Sequence, residues 1–95
     1  MLFPTDARQW VGKLVVMEWT ITLAKTGRRM ATSSGGRVLS VDDTYLVLQP
    51  FGLTEPSAPG EAVTQLGLQI EEENIPLVDI DTIYPAPLEG IQVVE

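Results

Sequence analysis

The stretch Gly36 to Gln49 sets the terms for the rest of the chain, because it reads as two strands folded about an acidic turn. Val38, Leu39 and Val41 make one arm apolar around Ser40, and Tyr45 to Leu48 form a β-rich run on the other. Between them stand Asp42, Asp43 and Thr44, whose short polar side chains bond their own backbone in turns. A β-hairpin here commits the chain to a sheet. Upstream, Val15, Met17, Trp19, Ile21 and Leu23 alternate with Glu18, Thr20 and Thr22, which predicts a long half-buried strand from Lys13. Lys25-Thr26-Gly27-Arg28 reads as a tight turn with Gly27 at positive φ. The strand that follows runs from Arg28 into the hairpin through Gly35-Gly36, where paired glycines predict a bulge or sharp bend; a loop between two separate strands is the alternative.

On the flanks, Thr5 is expected to cap a short helix over residues 6–11, ended by Gly12, with Leu2 or Phe3 and Trp10 covering one end of the sheet. Residues 50–61, with three prolines and two glycines, read as an irregular loop. Leu66, Leu68 and Ile70 predict a further strand, and Ile75 to Val78 a short edge strand holding Pro76. Ile80 and Ile83, three apart, suggest a closing 3₁₀ or helical turn, and the apolar tail 91–94 is expected to pair with a sheet edge, its own or a neighbour's. Residues 1–84 make one domain and 85–95 a tail. The fold class expected is mainly β, a five-stranded, strongly bent small barrel with a short N-terminal α-helix.

Ninety-five residues bury only about 60–65% of the surface exposed when unfolded, so the core is thin. Apolar residues nevertheless make up 44% of the chain, which points to apolar surface meeting a partner. Without cysteine or histidine, the chain has no disulfide, thiolate metal site, Cys nucleophile or His-based triad. No Gly-x-Ser-x-Gly elbow or phosphate-cradling glycine run is present, and the carboxylates lack calcium-loop spacing. We therefore expect no enzyme, no cofactor and no metal. No apolar run is long enough for a membrane helix, so the chain reads as cytoplasmic with no membrane partner.

The net charge of −7 hides a division. Residues 1–37 hold all six cations against two acids, a balance of +4, while residues 38–95 hold eleven acids and no Lys or Arg. Either the halves face each other within the domain or a basic edge meets an acidic one between subunits. Candidate contacts follow. Lys25, Arg28, Arg29 and Arg37 form a possible nucleic-acid or subunit patch; Asp42, Asp43, Glu71, Glu72 and Glu73 form a possible acidic rim; Tyr45, Phe51, Leu53, Ile91 and Val93 are possible partner-facing apolar residues.

Three segments together, Trp10-Val-Gly-Lys-Leu-Val-Val16, Gly36-Arg-Val-Leu-Ser-Val-Asp42 and Asn74-Ile-Pro-Leu-Val78, resemble the Sm-like subset of the SH3-like small barrels over residues 4–84. The resemblance implies rings of several subunits, often with RNA at the pore. Where that family has an asparagine after the hairpin aspartate this chain has Asp43-Thr44-Tyr45, and where it has Arg-Gly before the last strand this chain has Glu72-Glu73. Carboxylates repel phosphate, so nucleic acid is disfavoured. The reading is a non-enzymatic oligomeric interaction module whose partner is itself or another protein; the alternatives are an Sm-like RNA binder and a monomeric adaptor using the 50–61 loop.

Overall fold

In the computed structural model, residues 1–53 and 65–94 are described. A short helix α1 (Pro4–Arg8) precedes strands β1 (Leu14–Thr22), β2 (Arg29–Val41), β3 (Tyr45–Leu53), β4 (Gln65–Leu68) and β5 (Glu73–Pro76). A 3₁₀ turn (Leu77–Asp79) leads to β6 (Ile80–Pro85), and β7 (Gln92–Val94) is the last described strand. The protein is mainly β, as expected. Among the described residues there are seven strands rather than five, and the sheet does not close: its path is β6-β1-β2-β3-β4-β7, with β5 also paired to β3.

The alternation in β1 holds over its first half, up to Trp19, while Ile21 and Leu23 beyond it are exposed. Val15 and Met17 are fully buried beside Val38 of β2, Leu46 and Leu48 of β3, Ile75 of β5 and Ile80 of β6. Ala7 of the helix and Leu77 of the 3₁₀ turn complete that core, with Leu2, Trp10, Trp19, Val41 and Ile83 packed against it. Phe3, by contrast, is exposed and occupies the helix N-cap position, with no side-chain cap bond; Thr5 falls inside the helix. Pro4 explains the earlier start, since proline suits the first helical turn. Gly12 takes φ +82°, and its N–H bonds the Val38 carbonyl at 2.8 Å, fastening the helix to the sheet.

β2 is one continuous strand through Gly35 and Gly36, not two strands and a loop. Its first part pairs with β1 from Arg29 to Arg37, and its last part with β3 from Gly36 to Val41. At Gly36 the β3 backbone passes so close that a Cβ would collide with the Gln49 carbonyl. This crossing admits only glycine.

Three expectations are corrected, each for a local reason. First, residues 50–53 are strand, not loop: β3 continues through Pro50 to Leu53. The Pro50 carbonyl accepts from Gln69 N–H at 2.8 Å, so the missing proline N–H faces the link between β4 and β5, where the ladder is interrupted. The remainder of the predicted loop, 54–61, lies outside the described residues. Second, Ile70 does not continue the β4 alternation; the strand ends at Leu68 and Ile70 stands 96% exposed in the bend beyond it. Third, Ile80 and Ile83 belong to a strand, and the 3₁₀ turn precedes them. Glu18 pairs with Thr82 and Trp19 with Ile80, so Asp81 is the extra residue of a β-bulge. The bulge shifts side-chain parity and lets residues three apart share the core face.

The tail pairs within its own chain, β7 running parallel to β4. Gly36→Ala is expected to destabilise the protein by more than about 3 kcal/mol, the range of a core clash. Gly35→Ala, which meets the Phe51 ring edge at 3.1 Å, should cost far less. Urea unfolding of the two variants checks the order.

Candidate interaction surface

Beyond Trp19 the outer edge of β1 pairs with no strand among the described residues, because β6 pairs only with Val15 to Trp19. Beyond Gly36 in the other direction β2 likewise leaves β3. Residues 20–22 of β1 and 29–31 of β2 therefore form a two-stranded arm whose backbone pairs with no third strand among the described residues, while residues 32–35 of β2 pair with 16–19 of β1 and have no strand on their other edge among the described residues. At its end the Leu23 carbonyl accepts from Gly27 N–H and the Leu23 N–H donates to the Arg28 carbonyl, both at 2.8 Å; Gly27 has φ +66°. Ile21, Leu23 and Met30 are exposed along it, at 37%, 39% and 53%.

The base of the arm is braced by side chains. Trp19 Nε1 donates to Ser34 Oγ at 3.0 Å, and Ser34 Oγ donates to Glu73 Oε2 at 3.4 Å, linking β1, β2 and β5. Thr20 Oγ1 donates to Asp81 Oδ2 at 2.8 Å, tying β1 to the bulge in β6. Between arm and β5 lies an open groove of about 460 Å³, with Trp19, Ile21 and Ile75 as its apolar wall and Thr32, Ser34, Glu73 and Asn74 as its polar one.

The predicted basic patch is divided. Lys25 and Arg28 flank the end of the arm and Arg29 opens β2, all exposed. Arg37 lies eight residues further along β2, half-buried between Leu14 and Gln49, and is not part of that cluster. The acidic rim is divided as well. Asp42 and Asp43 occupy the β2–β3 turn, where Asp43 Oδ1 pairs with Arg8 Nη2 at 3.0 Å; Glu71 and Glu72 lie in the β4–β5 link and Glu73 starts β5, at the base of the arm. That surface ion pair is worth little energetically. Sequence reading left Arg8 out because its partner stands 35 residues away.

Of the apolar candidates, Tyr45 is exposed at 43%, while Phe51 and Val93 are half-buried in the sheet and Ile91, just before β7, is half-buried with its N–H bonded to the Leu88 carbonyl. The side-chain role expected of Leu53 lies outside the described residues. The arm residues Ile21, Met30 and Thr32 were missed as contacts. Their signal was the uncharged small-residue run Met30 to Gly35 following a strand too apolar for its exposure.

No protein-family model, curated protein or solved structure matches this chain.

The turn itself is held electrostatically. Asp42 Oδ1 accepts from the N–H groups of Tyr45 and Thr44, both at 2.7 Å, and these bonds, Tyr45 first, hold its carboxyl below the ordinary value of 3.8. A folded-state value below the unfolded one means that the stabilisation is complete above about pH 3.8 and is lost as pH falls through the folded value. Asp42→Ala should therefore lower Tm at neutral pH, and the gap between variant and parent should narrow as the pH drops below 3.8. Thermal melts across that window check it.

Proposed function

We propose that this chain is a non-enzymatic interaction module that assembles with copies of itself through free strand edges and the separation of its charge. One observation carries the reading. Lys25, Arg28 and Arg29 stand at the end of the arm with no side-chain hydrogen bond or ion pair among the described residues, although the same chain holds a large excess of acid. Had the two halves neutralised each other within the domain, these three cations would sit among the carboxylates. Instead they stand at the far end of the arm, while Glu73 lies at its base, bonded to Ser34. Such a division leaves each molecule with a basic end and an acidic flank, complementary between copies.

For the architecture, we read a relative of the SH3-like small barrels, with the Sm-like subset as the nearest pattern. Supporting this are the long β2 that serves two neighbours and the passage from β5 on the β3 side, through a 3₁₀ turn, to β6 on the β1 side. RNA binding is not favoured, because the acidic Glu71 to Glu73 segment stands where that pattern uses cationic contacts.

Light scattering at micromolar concentration should give a defined oligomer at low salt. Its mass should fall as salt rises toward 1 M, where the screening length shrinks to about 3 Å. A monomer at low salt would overturn the reading. Titration with single-stranded RNA should show no binding at about 50 mM salt, whereas binding with a steep salt dependence would favour a nucleic-acid role.

A further inference from the structure

We propose that a second copy of this chain adds to the free edge of β2, strand against antiparallel strand, about a two-fold axis at Thr32; the inference rests on the self-assembly reading and names its surface. It begins with the direction of the backbone groups. At one end of the β1–β2 ladder Val38 N–H donates to the Lys13 carbonyl and the Val38 carbonyl accepts from Gly12; at the other end the Arg28 carbonyl accepts from Leu23. Even-numbered residues of β2 thus face β1, and the register between them runs unbroken from Arg29 to Arg37. Alternation then turns the N–H and C=O groups of Arg29, Ala31, Ser33 and Gly35 outward. Among the described residues no strand pairs with them there, since β3 joins β2 only from Gly36.

A long, free strand edge is a template for another strand, and proteins that avoid such pairing place charge, proline or a bulge on it. Met30 to Gly35 contains none of these: it is Met-Ala-Thr-Ser-Ser-Gly, in unbroken register with β1. A two-stranded ribbon is also marginal by itself in water, so the arm has most to gain from a third strand.

Charge chooses the occupant. Antiparallel pairing centred on Thr32 sets Ala31 opposite Ser33 of the second copy and Arg29 opposite its Gly35, each pair made of two outward-facing residues. Met30 falls opposite Ser34 of the second copy, the residue whose hydroxyl bonds Glu73. In that alternation Arg28 of each copy falls on the face of Met30 and Ser34 and so arrives beside Glu73 of the other, while Arg29 points to the opposite face; Glu71 and Glu72 immediately precede Glu73 in the link to β5. A two-fold interface makes the match twice. Exposed Met30 comes alongside the groove wall of Trp19 and Ile75 in the second copy, which gives it cover.

The chain has no cysteine, which permits a direct test. In the proposed register Thr32 meets its own symmetry mate as a non-hydrogen-bonded pair, with Cα atoms about 4.5 Å apart, inside the range a disulfide spans. Thr32→Cys should form a covalent dimer under mild oxidation, and Thr22→Cys, on the exposed β1 side of the arm, should not. Ala31→Pro removes an outward donor while sparing the bonds to β1, and should raise the dissociation constant at least tenfold with the circular dichroism unchanged. In the paired charge test, Arg28→Glu with Arg29→Glu, and separately Glu72→Lys with Glu73→Lys, should each weaken self-association, and mixing the two variants should restore a mixed dimer. An oligomeric parent whose Thr32→Cys variant gives no dimer overturns this interface and leaves the self-assembly reading standing, and a folded Ala31→Pro variant with parental mass does the same. A monomeric parent overturns both.

Discussion

β2 has to satisfy two neighbours that do not overlap along most of its length, and the rest of the architecture is placed by how it does so. Pairing with β1 occupies it up to Arg37, and pairing with β3 begins at Gly36. The hand-over takes place where the Gln49 backbone comes into direct contact with the Gly36 Cα, a space that no side chain can share. Once β3 is set by that contact, its other edge is divided in series, β5 beside residues 45–48 and β4 beside residues 51–53. Pro50 falls at the division, where its missing donor is not needed. From β5 the 3₁₀ turn carries the chain back to β1, and Ile75, Leu77 and Ile80 close over Val15, Met17 and Val38.

The same hand-over produces the arm. Because β3 departs at Gly36 and β6 departs at Trp19, the outer part of the first hairpin is left with two bare edges, while Trp19, Ser34, Glu73, Thr20 and Asp81 hold its base to the body. Rigidity at the base and bareness beyond it are a suitable combination for presenting a strand edge, since little further ordering is required when a partner arrives. In the proposed self-assembly, the cations at the end of that arm and the acids beside its base would make the edge directional as well as adhesive.

The hairpin about Asp42, the strand over 14–22, the turn at Gly27 and the bend at Gly36 were legible because each follows from local chemistry: period-two alternation, a short acceptor side chain, a glycine where φ is positive or space is absent. Residues that broke the pattern depended on distant partners. Ile80 and Ile83 look helical until Asp81 is known to bulge against Glu18 and Trp19. Pro50 looks like a stop until its carbonyl is seen to face the gap between two strands. Arg37 looked like part of the basic cluster because a charge count along the chain carries no register, and pairing with Leu14 and Gln49 puts it in the body of the sheet.

What this sequence determined by itself is the mainly β class, the turns at Gly27 and Asp42, the inward face of Val15 and Met17 in β1, and a charge division that any fold of the chain must accommodate; all of these come from interactions within a few residues or from composition. The order of strands, the bulge at Asp81, the pairing of β7 within its own sheet and the bare edge of β2 were decided only in the tertiary structure. Those features depend on which strands run short of their neighbours, and that is a property of lengths and registers compared across the whole sheet rather than of any one segment.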